Sequence, residues 1–168
     1  GLIGQEDKGL SDEASRQSHL PARYGGLGLK DAIRTSPAAY WASWADALPT
    51  LCGRFPWLRS HLAAYLSDTD NQDGINQEVS CMFALQTARA HLHNTVGFKA
   101  PTWESVLAGA QPGEPDAEEA DPGEWKHGWQ YRASDACEQL EFTSLLASVS
   151  APSAARLRSC GGLSLPAA

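Results

Sequence analysis

The sequence predicts a mainly α fold: an irregular helical domain with a flexible N-terminal lead and an acidic Pro/Gly-rich loop. Three observations carry that expectation. Apolar residues recur at three- and four-residue spacing, as in Tyr40, Trp41, Trp44 and Leu48. Ser36, Thr102 and Ser134 each stand where a helix would begin, with a hydroxyl able to cap it. Residues 111–124, QPGEPDAEEADPGE, hold six carboxylates, three prolines and no basic residue, too little apolar material to build a core.

Taken in order, residues 1–19 read as a flexible lead, polar and without lasting periodicity, with room for a short helix over Ser11–Gln17. Leu20-Pro21 interrupts the chain, because a residue before proline is pushed out of the helical region. In RYGGLGL, Gly25, Gly26 and Gly28 permit a tight turn or a close backbone approach, and the alternating Leu27 and Leu29 are expected to face a core. The main helical unit, 20–110, then begins its first long helix at Ser36-Pro37, with Pro49 kinking or ending it. Trp41 and Trp44 lie on its apolar stripe; helical spacing makes them core rather than a platform for stacked bases.

After a break at Pro56, Phe55, Leu58, Leu62 and Leu66 define a second helix. A third spans Asn76 to Asn94, with Val79, Met82, Phe83, Leu85 and Leu92 on its apolar side and Glu78 near its start. GFKAPTWESVLAGAQPG reads as turn, short helix, turn, with Thr102 capping Glu104–Ala108 and Trp103 as anchor. Residues 111–124 form a linker or loop, and 125–150 a C-terminal helical unit. There Ser134 caps a helix through Val149 that carries Phe142, Leu145, Leu146 and Val149 on one face. The rest, 151–168, is expected to be a flexible tail whose Arg156 and Arg158 are too few for a nucleic-acid footprint.

The totals narrow the function. At 168 residues the chain suits one domain with a modest core. Its net charge of −7 disfavours a large phosphate-binding surface or attraction to an anionic bilayer, although a local basic patch is compatible with it. No stretch of eighteen apolar residues exists, so no membrane helix is expected. The first seventeen residues lack the basic start and apolar run of a secretory signal. Cys52, Cys81, Cys137 and Cys160 are widely spaced with no CxxC pair, as in a reducing compartment. An intracellular setting, cytoplasmic or nuclear, follows. The start at Gly and the abrupt SLPAA suggest a fragment or processed piece.

Sites for chemistry are sparse. Gly26 and Gly28 begin a GxGxxG pattern, but position 31 is Asp, and no Walker sequence is present. SDTDNQDG, 67–74, fails as a calcium loop in either register: Asp68 as position 1 puts Asp73 at the glycine position, and Thr69 ends the loop on Ser80. His91 and His93 are two apart and diverge on a helix, whereas zinc on one helix wants His at i and i+4. His127 between Trp125 and Trp129 is the most site-like grouping, and aromatic packing accounts for it. No nucleophile elbow, HExxH or paired ligand cluster occurs. Neither a catalytic set, a metal nor a cofactor is expected, and the chain reads as noncatalytic.

The ordered segments LPARYGGLGLKDAIRTSPAAYWASWADALP, GFKAPTWESVLAGAQPG, GWQYRASDACEQLEF and LRSCGGLSLPAA supply a resemblance. Over about residues 16–168 the chain resembles the region downstream of the reverse-transcriptase domain in non-LTR (LINE-type) retrotransposon polyproteins of protists. The LP-x-x-x-GGLGL element falls on Leu20, Pro21, Gly25, Gly26, Leu27, Gly28 and Leu29. That resemblance implies a noncatalytic helical segment supporting nucleic-acid handling within a longer polymerase, whose YxDD-type carboxylates are missing here. Two readings stand. An exposed track of Arg16, Arg23, Lys30 and Arg34 would favour nucleic acid as partner, through the longer parent. An exposed Trp41/Trp44/Phe55 surface without a basic rim would favour a protein-interaction or structural domain.

Overall fold

The computed structural model describes residues 11–67, 80–112 and 128–160. Among these, every regular element is helical and no strand occurs. The calcium-like segment, the acidic segment from 113 onward, and Trp125 with His127 lie outside the described residues.

The chain divides into two compact units, one of residues 1–32 with 138–168 and one of residues 33–137. This grouping is not the linear succession of lead, main unit, loop, second unit and tail: among the described residues, 11–32 share a unit with 138–160. In the first unit, α1 (Asp12–Ser18) is capped by the Ser11 side chain, which accepts from the Ala14 N–H, and carries Asp12 and Glu13 in its first turn. Both features favour a helix start. A 3₁₀ turn, Ala22–Tyr24, leads into the glycine motif.

The tail departs from expectation by forming α7 (Ala151–Cys160). Ser150, Ala151 and Pro152 place a capping residue and an early proline at its start, and Ala154 and Leu157 give it a buried face. A small core joins Leu20, Tyr24, Phe142, Leu145 and Leu157, with Leu146 and Val149 partly buried against it. Tyr24 stacks on Phe142 at 4.8 Å between ring centroids.

The second unit is organised by α2, which runs Ala32–Arg54 and so begins four residues before the expected Ser36-Pro37 start. Pro37 cannot bond to the Ile33 carbonyl four residues back. The Ser36 hydroxyl donates to that carbonyl instead, at 3.2 Å. Pro49 does not end the helix either; α2 continues through it for five more residues. Packing explains the persistence. Ala38, Trp41, Ala42, Ala45, Leu48 and Cys52 form a continuous buried stripe that begins directly after Pro37 and runs past Pro49.

Against that stripe pack Leu66 of α3 (Pro56–Ser67), Met82, Leu85 and Ala88 of α4 (Ser80–His91), and Leu92 of the π-helical turn Leu92–Val96. Trp103, Val106 and Leu107 of α5 (Trp103–Leu107) complete this side, with Thr102 capping as expected: its Oγ1 accepts from the Ser105 N–H at 3.2 Å. Phe83, expected on the apolar side of α4, is exposed. The helix α6 runs Trp129–Ser148 and passes from this unit into the first at 137/138; it starts six residues earlier than a Ser134 cap would allow. Trp129, Ala133 and Cys137, spaced by four, give its first half an apolar face that pulls the helix start upstream. Trp41 is fully buried, edge-on to Phe98 at 5.4 Å and to Trp129 at 5.6 Å.

Candidate binding surface

The surface begins with proline geometry. Phe55 precedes Pro56, and that position resists the helical conformation, so α2 stops at Arg54. Pro56 has its φ preset for a first helical residue, so α3 starts there. Two helices thus meet at a one-residue joint.

The apolar stripe of α3 follows Leu58, Leu62 and Leu66 inward, and Trp57 falls off it. Trp57 is 66% exposed and Phe55 47% exposed. The two rings meet edge-on at 6.4 Å, and Trp57 meets His61 edge-on at 6.1 Å. The His61 ring nitrogen Nδ1 lies 2.9 Å from the Trp57 carbonyl, which also accepts from the Ser60 hydroxyl. Each aromatic group is therefore held by a neighbour while presenting area to solvent.

Arg54, Arg59 and His61 are exposed; His61 shares the Trp57 side of α3, four residues on, whereas Arg59, two residues from Trp57, diverges from it. Arg59 Nη2 donates to the Leu107 carbonyl at 2.9 Å, which fixes that guanidinium beside α5. No carboxylate occurs from 47 to 67. Glu104, on α5, which packs against α3, is exposed as well. Across residues 33–137 as a whole, seven Lys and Arg stand against thirteen Asp and Glu. The net −7 arises largely in 68–79 and 113–127, which together carry ten Asp and Glu and one Lys.

The cations singled out in the sequence have other engagements. Arg16 pairs with Glu141 at 2.7 Å and donates to the Ser144 and Ser148 hydroxyls. Arg23 pairs with buried Glu138 at 2.8 Å and lies over the Tyr24 ring. Lys30 approaches the other Glu138 oxygen at 3.6 Å. Arg34 is half-buried near the start of α2, in the other unit. Carboxylates thus partly neutralise the N-terminal three.

Among the structural motif residues, Gly25 and Gly28 have φ of 77° and 73°, and Gly26 lies against the backbone at the end of α1. The motif is a tight turn, as expected, but its leucines do not enter a core: Leu27 is 77% and Leu29 53% exposed. Their N–H groups both donate to the Ser18 carbonyl, so the strandlike segment is tied down by its backbone while Leu20 and Tyr24 are buried. Trp41 is core, and Trp44 is partly buried against it with Tyr40 edge-on at 6.5 Å.

Among the described residues, no group of three or more His, Cys, Asp or Glu side chains gathers to hold a metal. His91 and His93 are exposed, and no disulfide joins any of the four cysteines. Arg89 lies over the Trp103 ring at 5.1 Å and donates to the Pro101 carbonyl; burial lowers its pKa. Those contacts tie α4 to the start of α5. No described helix is long and apolar enough to cross a membrane.

Sequence reasoning missed Trp57. The signal was available: it is a large aromatic two residues beyond a helix joint and off the stripe that Leu58, Leu62 and Leu66 define. No protein-family model, curated protein or solved structure matches the chain.

Proposed function

We propose that the chain is a noncatalytic helical binding module whose working surface is the α2–α3 corner, with a segment of another protein as its partner. The observation that carries this reading is the exposure of Trp57 beside Phe55. Two adjoining aromatic rings in solvent are costly to leave uncovered, and Trp and Arg are the residues that dominate contact energy at protein interfaces. Exposed Arg54, next to Phe55 in sequence, and His61, edge-on to Trp57, supply polar neighbours. The partial neutralisation of Arg16, Arg23 and Lys30 by Glu141 and Glu138 weighs against the N-terminal track as the contact surface.

Selection of a random dodecapeptide library on the full chain tests the reading. Clones that bind the wild type and fail on the Phe55→Ser/Trp57→Ser variant support it. A selection in which no clone distinguishes the two proteins overturns it.

A second reading follows the retroelement resemblance: a noncatalytic helical segment of a reverse-transcriptase polyprotein that supports nucleic-acid handling. The exposure of Arg54 and Arg59 within a stretch, 47–67, that holds no carboxylate favours it. On either reading the chain acts inside the cell, in cytoplasm or nucleus, in keeping with four cysteines outside any disulfide.

A further inference from the structure

We infer that residues 11–29 are an exchangeable arm: the face of α6 and α7 that seats this arm within one copy takes the same arm from a second copy of the chain. The product is a two-fold pair in which each copy completes the other's small core. The inference is independent of the α2–α3 corner.

The arm is a self-contained piece. The Gln17 side chain donates to the Gly25 carbonyl at 2.9 Å, and the Gly28 N–H donates to the Leu20 carbonyl. The Leu27 and Leu29 N–H groups both donate to the Ser18 carbonyl. Helix α1, the 3₁₀ turn and the glycine turn therefore hold one another and can move as one piece. Lys30 and Asp31 alone join it to α2, which starts at Ala32. So short a connection favours exchange between copies.

The seat is specific. Leu20 and Tyr24 of the arm pack among Phe142, Leu145 and Leu157, and α7 lies against the 3₁₀ turn. Charge complementarity sets the register. Arg16 pairs with Glu141 and donates to the Ser144 and Ser148 hydroxyls, while Arg23 and Lys30 face the two oxygens of Glu138. All these contacts run between the arm, with its connection, and residues 138–157, so they are the same whether arm and seat belong to one copy or to two. Tethering gives the arm of the same copy an effective concentration on the order of millimolar, which exchange has to overcome. A second copy adds apolar cover. Leu27 and Leu29 are exposed and lie within three residues of the connection. A closed two-fold exchange runs its two connections alongside each other, which brings these leucines of both copies together.

The test uses the full chain in two single variants, Arg16→Glu and Glu141→Arg. Each sets like charges together at this contact within its own copy. In an exchanged pair of the two, the introduced glutamate meets the introduced arginine and native Arg16 meets native Glu141, so both contacts are restored. Sedimentation of an equimolar mixture is expected to show dimers at a concentration about tenfold below that at which either variant associates alone. The double variant Arg16→Glu/Glu141→Arg satisfies its reversed pair within one copy, and should stay monomeric with the wild-type thermal transition. Where a single variant is unfolded alone, recovery of that transition on mixing is the readout. Carbodiimide coupling of Lys30 to Glu138, 3.6 Å apart, with one variant isotope-labelled, identifies the route. Exchange predicts cross-links in the dimer that join a labelled peptide to an unlabelled one. A mixture that shows neither dimers nor recovery overturns the inference, as do variants that dimerise as readily alone as together. Dimers whose Lys30–Glu138 cross-links join peptides of one label overturn it, and so does a double variant as destabilised as the single ones.

Discussion

Gly26 lies so close to Leu20 that a Cβ atom placed on it would stand 2.0 Å from the Leu20 carbonyl oxygen and 2.6 Å from that of Gln17. Both obstacles are backbone at the end of α1, so no side chain can swing aside. The Gly28 N–H bonds to the same Leu20 carbonyl at 2.8 Å, which clamps the turn onto the helix end. Gly26→Ala is therefore expected to destabilise the chain by at least about 2 kcal/mol, read as a lowered urea midpoint. A near-neutral result would mean that the turn does not dock on α1.

Trp41 is central to the second unit, and its replacement leaves a large void. Trp41→Ala should cost roughly 3–5 kcal/mol in equilibrium unfolding. Its Nε1–H is buried with no hydrogen-bond partner among the described residues, so ring packing against Phe98 and Trp129 must outweigh that deficit. A loss below about 1 kcal/mol would remove Trp41 from the core.

Glu138 is buried and receives Arg23 at 2.8 Å, with Lys30 near its other oxygen. Both cations keep access to water, so the pair is worth less than a fully enclosed one. Glu138→Ala should destabilise by about 1–2 kcal/mol. Added salt should lower wild-type stability more than that of the variant; identical salt curves would contradict a stabilising pair.

The Thr102 cap offers a smaller and more local effect. Thr102→Ala should cost about 1 kcal/mol, while Thr102→Ser should be close to neutral, since either hydroxyl can accept from the Ser105 N–H. Equal losses in both variants would assign the effect to packing.

Much of this fold was legible because helical periodicity survives local punctuation. Tyr40, Trp41, Trp44 and Leu48 placed α2, and Thr102 placed α5. Boundaries were harder. Pro37 and Pro49 read as breakers, yet a long buried stripe and the Ser36 hydroxyl carried α2 through them. Leu27 and Leu29 alternate like core residues, but the turn was stabilised through its N–H groups, which periodicity does not register. The candidate surface was only half visible: Phe55 was singled out, whereas Trp57 required noticing an aromatic residue off its helix's stripe. The pairing of Arg16 with Glu141 spans 125 positions in sequence, beyond the reach of local pattern.

The central claim is that Phe55 and Trp57 form the working surface. The most direct measurement is calorimetric titration of a library-selected dodecapeptide into the full chain and into Phe55→Ser/Trp57→Ser, at several temperatures. Burial of these rings predicts a negative heat-capacity change for the wild type and no measurable binding to the variant. The variant's thermal transition should stay within about 0.5 kcal/mol of the wild type, because both side chains are exposed. Equal affinity and equal heat-capacity change for the two proteins would contradict the account.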